Sequence, residues 1–272
     1  MLASRFSTGQ LIRSPLPLSD EQLRAVVPSI YANDAHASRS DRYAHIPTSV
    51  VLNALKKEGF QPFMAIQARV RDDTRHGFAK HMIRMRHASQ IEAEDAANEI
   101  ILLNSHDGSS SYQMLAGSFR FVCQNGMVCG DQYHDIRVRH CGNVVDNVIE
   151  GAYAVLDNFD RITAAKADMS SMHLSEAEQL AFAKAALPLR FSEEDAQPSE
   201  QAVLWRRRSA DAGQDLWTTF NVVQENLIKG GLPRVNRQGR VTRTRQINGI
   251  DGDVRLNKAL WTLAEAMAAL KA

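Results

Sequence analysis

Residues 63–87, FMAIQARVRDDTRHGFAKHMIRMRH, hold the clearest period-two pattern in the chain and decide the kind of fold expected. In Phe63 to Arg71, Met64, Ile66, Ala68 and Val70 alternate with Gln67, Arg69 and Arg71, as the two faces of a strand do. After the turn-like DDTRHG, His81, Ile83 and Met85 alternate with Lys80, Arg84 and Arg86. Two antiparallel strands would then share one cationic face. Like charges opposite one another cost stability, so the pattern suggests either a face that meets an anion or one neutralised by nearby acids such as Asp72, Asp73 or the cluster within 92–99.

Working outward, Ser19-Asp20-Glu21-Gln22 has the form of a helix start with a capping box. Pro47-Thr48 opens a second helix with Val51, Leu52 and Leu55 on one face, stopped by Gly59. Residues 88–99 are expected to be a polar loop, followed by a buried strand over Ile100–Leu103. Asp107-Gly108 favours a tight hairpin turn, with Ser109 to Met114 returning. Further strands are expected at Phe119–Cys123 and Ile136–Arg139, and one long helix over 143–163. Beyond that, helices are expected at about 175–187, at Leu216–Lys229 and at about 256–270. The acidic run 192–202 separates an expected α+β domain, residues 1–190, from a helical C-terminal subdomain, 191–272. The class is α+β: a mostly antiparallel sheet with flanking helices and a helical C-terminal part.

The second basic region is Lys229–Arg245, KGGLPRVNRQGRVTRTR, with no acidic residue from Asn226 to Ile250. Gly230, Gly231, Pro233 and Gly239 argue against a helix, so a flexible cationic arm between two helices is expected. Arginine forks bind phosphate well, whereas an ordinary basic loop is simply solvated. The net charge of +1 predicts no polyanion partner from bulk charge, so any such affinity rests on segregation.

Other chemistry is thinner. His106 and Asp107, beside Ser105 and Ser109–Ser111, have the residue types of a base, orienter and nucleophile, and equally those of a hydrogen-bonded turn. Cys123, Cys129, His134, His140 and Cys141 form a candidate zinc set, but five residues part the first two cysteines where structural sites usually have two to four. Asp251 and Asp253 fit turn and helix-entry roles better than a calcium loop, which needs a distal carboxylate. No phosphate loop, dinucleotide fingerprint or H-E-x-x-H occurs, and no cofactor is expected. Trp205 precedes Arg206-Arg207-Arg208, which suits base stacking beside phosphate contacts, while Trp217 and Trp261 sit in amphipathic stretches that read as core. No apolar run nears the roughly 20 residues of a membrane span. An odd cysteine count without a signal-like N-terminus suggests a cytoplasmic protein with no membrane partner.

The runs LNSHDGSSSYQM, FRFVCQNGMVCG, IEGAYAVLDNFDR, DLWTTFNVVQENLIKGG and TRTRQINGIDGDVRLNKALW resemble the uncharacterised bacterial family of YafZ, YfjQ and YubP, domain of unknown function 932. The resemblance runs from SRFSTGQLIR through nearly the whole chain. It implies carriage on plasmids and prophages and no assigned activity. The expected order of elements around Glu58-Gly59-Phe60 is also similar to that of ring-forming single-strand annealing proteins, which implies a basic groove and a homo-oligomer.

The leading expectation is a non-catalytic nucleic-acid-binding protein, with single-stranded DNA favoured. Arg69, Arg71, Lys80, Arg84 and Arg86 would line a sheet face, and Arg234, Arg237, Arg240, Arg243 and Arg245 would close over the strand. The alternatives are an interaction protein that inhibits a host protein through its basic arm, and a metal-assisted hydrolase using His106, Asp107 and the cysteine–histidine set.

Overall fold

The computed structural model describes residues 10–40, 43–90, 96–121, 125–129, 136–138, 151, 153–192 and 196–271. The chain divides into two compact units: residues 1–119 with 131–159, and residues 120–130 with 160–272. The run 192–202 therefore lies inside the second unit.

The first unit is α+β. Strands β1 (Gln10–Arg13), β2 (Phe60–Gln67), β3 (His81–His87), β4 (Ala96–Asn104) and β5 (Tyr112–Arg120) follow one another in the sheet, and a short strand, β7 (Ile136–Val138), pairs antiparallel with β5. Helix α1 (Asp20–Val26) starts at Ser19, whose hydroxyl accepts the Gln22 N–H while the Gln22 side chain accepts the Ser19 N–H. Helix α2 (Thr48–Lys57) ends before Gly59, whose φ of 89° suits a residue without Cβ.

Several sequence expectations change here. Strand β2 is Phe60–Gln67, so Arg69 and Arg71 lie beyond its end. Within it Ala65 and Gln67 are buried while Met64 and Ile66 are partly exposed, the reverse of the alternation reading. Gln67 turns inward because its amide has work there: it accepts from the Ser29 N–H and hydroxyl and donates to the His76 carbonyl. The pairing of β2 with β3 shifts between Pro62 and Met64, which makes Phe63 the extra residue of a bulge.

Strand β4 starts at Ala96, so Asn98 and Glu99 belong to it rather than to a loop. Asp107-Gly108 sits in a seven-residue connection, 105–111, instead of a two-residue turn. Its serines satisfy it: Ser105 Oγ accepts the Ser110 N–H and donates to the Ser110 carbonyl, and Asp107 Oδ1 accepts the Ser109 N–H. The expected helix 143–163 falls outside the described residues up to 150. Its described part is helical at Gly151 and Tyr153–Leu156, breaks at Asp157-Asn158, and restarts as α3 (Phe159–Ser171).

The second unit holds α3, α4 (Glu176–Ala186), a short α5 (Glu200–Val203), α6 (Leu216–Lys229), α7 (Ile250–Lys271), strand β6 (Asn125–Val128) and a two-stranded hairpin, β8 (Pro233–Val235) with β9 (Val241–Arg243). Helix α6 is its central element and is buried almost all round. The predicted stripe of Leu216, Phe220, Val223 and Leu227 is buried, and Phe220 meets Trp261 of α7 edge-on at 6.0 Å. The polar residues of α6 are buried too, each with a partner: Gln224 Nε2 donates to Asn257 Oδ1 at 2.7 Å, for example. Helix α7 starts at Ile250, earlier than the apolar stripe suggests, with Asp251 and Asp253 in its first turn, where carboxylates oppose the positive helix end.

Candidate nucleic-acid interface

The cations of the first unit do not form an open face. Arg84 and Arg86 are 2% and 3% exposed and both bind Glu99, which is fully buried on β4. Arg86 lies directly opposite Glu99 in the β3–β4 register, and Arg84 is two residues along on the same face. The ion-pair distances are 2.8 Å for Arg86 Nε and 3.1 Å for Arg84 Nη1. The Arg86 guanidinium also lies over the rings of Phe63, at 4.5 Å, and Phe119, at 3.9 Å. A cationic sheet face was thus the wrong reading of Arg84 and Arg86: both sides of β3 are covered, and the charge is met by an acid from the neighbouring strand. Arg69 and Arg71 are exposed in the loop after β2, and Lys80 is partly exposed.

The same unit buries a polar chain below the sheet. His81 Nδ1 lies 3.0 Å from the Ala79 carbonyl and so carries the proton; Nε2 therefore accepts from Thr48 Oγ1 at 2.9 Å. Thr48 Oγ1 in turn accepts from Asn104 Nδ2 at 2.9 Å and is 3.5 Å from His106 Nε2. His106 is buried in this chain and its neighbour Asp107 caps the turn, so the pair is not arranged as base and orienter. Of the candidate zinc set, Cys129 is buried, and Cys123, His134, His140 and Cys141 lie outside the described residues. No group of three or more metal-ligating side chains occurs among the described residues.

Burial pushes the His81 imidazole down to about 4. Unfolding returns the ring to its ordinary value near 6.5, so below that pH the unfolded chain takes up a proton that the folded chain refuses. The stability His81 contributes is present in full above about pH 6.5 and is lost as the pH falls to about 4, roughly 3 kcal/mol in all. Urea unfolding between pH 7.5 and 4 checks this; a midpoint unchanged across that window would be the contrary result.

In the second unit, the expected flexible arm is a β-hairpin. Asn236 Oδ1 accepts the N–H groups of Gln238 and Arg240, Asn236 N–H donates to the Arg240 carbonyl, and Gly239 turns at φ 73°. This is a loop built on an Asn start and a left-handed glycine. Arg237, Arg240, Arg243 and Arg245 are exposed on it or just past it. Among the described residues no carboxylate pairs with Arg240, Arg243 or Arg245; Arg243 Nη1 donates to the Gly231 carbonyl at 2.7 Å. Arg234 differs from the others, being half-buried with Nη1 on the Ala196 carbonyl.

The root of the hairpin is fixed by α6. Asn226, fully buried, donates to the carbonyls of Val203 and Trp205 and accepts from Arg207 Nε, whose Nη2 reaches the Gly230 carbonyl at 2.7 Å. Arg208 is occupied by Asp211 and Glu225, and Lys229 by Glu225. The tie through Asn226 holds the 203–207 loop at the hairpin root, leaving Trp205 63% exposed beside exposed Arg206. Sequence reading found Trp205 and the arginines but not Asn226, Asp211 and Glu225; Glu225 and Asn226 are polar residues inside a largely apolar helix, and Asp211 follows the arginine run by three residues.

The description Domain of unknown function (DUF932) belongs to a family model that matches residues 35–261. The UPF0380 protein YafZ of Escherichia coli (strain K12) is 53% identical over 266 residues, covering 98% of this chain and 97% of its own length. The UPF0380 protein YfjQ of the same organism is 53% identical over 266 residues with the same coverage. No solved structure matches. No helix among the described residues is long and apolar enough to cross a membrane.

Proposed function

Since the chain belongs to the DUF932 family, whose description assigns no activity, we propose from its chemistry that it binds nucleic acid, single-stranded DNA in preference, through the second unit. The observation that carries this reading is the hairpin: Arg237, Arg240, Arg243 and Arg245 exposed on a segment without a single acidic residue from Asn226 to Ile250. Trp205 and Arg206, at the root of that hairpin, supply the aromatic face and adjoining cation that single-strand binders use. In the first unit Arg69 and Arg71 are exposed, whereas Arg84 and Arg86 are buried against Glu99 and have no part in the binding.

Phosphate contacts release counterions, so the log of the association constant should fall with the log of salt at a slope of about −0.7 per contact on a single strand. Anisotropy of a labelled oligonucleotide across a salt series reads this slope. Replacing Arg240, Arg243 and Arg245 with alanine is expected to weaken binding to all sequences alike and to flatten the slope by about 2. Binding that is absent, or indifferent to salt, would sink the reading. A protein partner retained from nuclease-treated lysate would then favour the interaction-protein alternative, since Val235 and Val241 face each other across the hairpin at 58% and 74% exposure.

A further inference from the structure

A cavity of about 340 Å³ opens in the second unit where α4, α5 and the 204–214 loop meet. Three amides line it: Gln179, Gln201 and Gln214. Gln179 Nε2 is spent on the Leu174 carbonyl at 3.1 Å, which leaves its oxygen as an acceptor. The side-chain amides of Gln201 and Gln214 have no hydrogen-bond partner among the described residues. Leu180 and Leu204 add apolar wall, and Glu176 and Arg206 place one carboxylate and one guanidinium at the lining.

Amides that both donate and accept, set beside aliphatic side chains, suit a small planar ligand with a mixed donor–acceptor edge and an apolar face. A nucleobase has that chemistry, and glutamine amides read base edges in this way. Position favours the same ligand. Leu204 and Arg206 line the cavity, and Trp205 lies between them in sequence, exposed, on the loop that Asn226 ties to the hairpin root. We infer that this cavity is a base-binding subsite: it takes one unstacked base of a single strand, with Trp205 stacking on a neighbouring base and Arg206 meeting the intervening phosphate. The inference rests on the nucleic-acid reading above and adds to it a place where base identity is sensed.

The test uses the full chain with labelled dA, dC and dT homopolymers and an abasic strand of equal length. The wild-type protein should prefer one homopolymer by about tenfold and bind the abasic strand more weakly than any of the three. Binding should also shield Trp205 from acrylamide quenching, whereas Trp261 is buried already. The double variant Gln201→Ala/Gln214→Ala should level the three homopolymers while still binding the abasic strand through the hairpin. Trp205→Ala should weaken all three homopolymers about tenfold and leave the abasic strand least affected. Gln201 and Gln214 are exposed, so their truncation leaves the fold intact, which circular dichroism verifies. Equal affinity of the wild type for every strand, abasic included, overturns the subsite and leaves the hairpin reading standing. So does a base preference that survives in the double variant. If no strand binds, the nucleic-acid reading itself fails and the subsite falls with it.

Discussion

Replacing Glu99 with alanine is expected to lower the unfolding free energy by about 3–5 kcal/mol, because it leaves two guanidiniums buried without their carboxylate. Arg84 and Arg86 are nearly inaccessible, and their separation along β3 puts both within reach of the one acid on β4. Neither can escape to water without opening the sheet between β2 and β4. The loss is comparable to a large part of an ordinary domain's stability, roughly 5–15 kcal/mol. A shift of the urea midpoint, or loss of soluble protein, reads the effect. A control separates charge from packing: changing all three residues together, Arg84→Met, Arg86→Met and Glu99→Leu, should cost much less than Glu99→Ala alone, since no ion is then left stranded. If Glu99→Ala unfolds at the wild-type midpoint, the buried ion triad does not hold these strands as described.

The second large effect is expected from Gly230→Ala. Gly230 ends α6 at φ 65° and ψ −146°, a region that residues with a side chain scarcely occupy. An added Cβ would lie 2.5 Å from the Arg245 carbonyl oxygen and 2.8 Å from that of Thr244, both backbone atoms at the foot of β9. Backbone strain alone contributes about 1–3 kcal/mol, and relieving the contact requires the hairpin to move off α6. That movement would break the Arg207 hold on the Gly230 carbonyl and the Gly231 N–H donation to the Thr244 carbonyl. Oligonucleotide affinity should therefore fall along with stability. Gly231→Ala is the comparison: it has a positive φ of 78° but nothing within 4 Å of a new Cβ, so only strain applies there and binding should survive better. Equal behaviour of the two variants would contradict the close approach at Gly230.

Much of the α+β architecture was legible because local rules and tertiary structure agree in it. Ser19 and Gln22 make the capping box their types announce, and Leu216–Lys229 is helical over the expected span. The candidate site was legible in composition and misread in placement. Alternation told that Arg84 and Arg86 share a face of β3, and of the two readings left open for that face the structure bears out neutralisation by the 92–99 acids, although Glu99 was assigned to a loop because Asn98 and Glu99 break the apolar run. Burial of a charge depends on a partner from another strand, which local periodicity does not register. The arm failed differently. Its glycines and proline were taken as breakers of structure, whereas Asn236 and Gly239 are what a hairpin loop requires. Asn226 was hidden because a buried amide inside a helix reads only as a weak helix former until its carbonyl partners are known.

The paired strands of the arginine hairpin also bear on how fast a ligand would be released. A disordered arm of the same composition would surrender about 1–2 kcal/mol of conformational entropy for each residue it immobilised on contact. Here the ladder from Pro233–Arg243 to Val235–Val241 has fixed that backbone beforehand, and only the outer arginine side chains remain to be ordered. Preorganisation of this kind lengthens the lifetime of a complex more than it quickens encounter, so the hairpin should favour slow dissociation over rapid exchange.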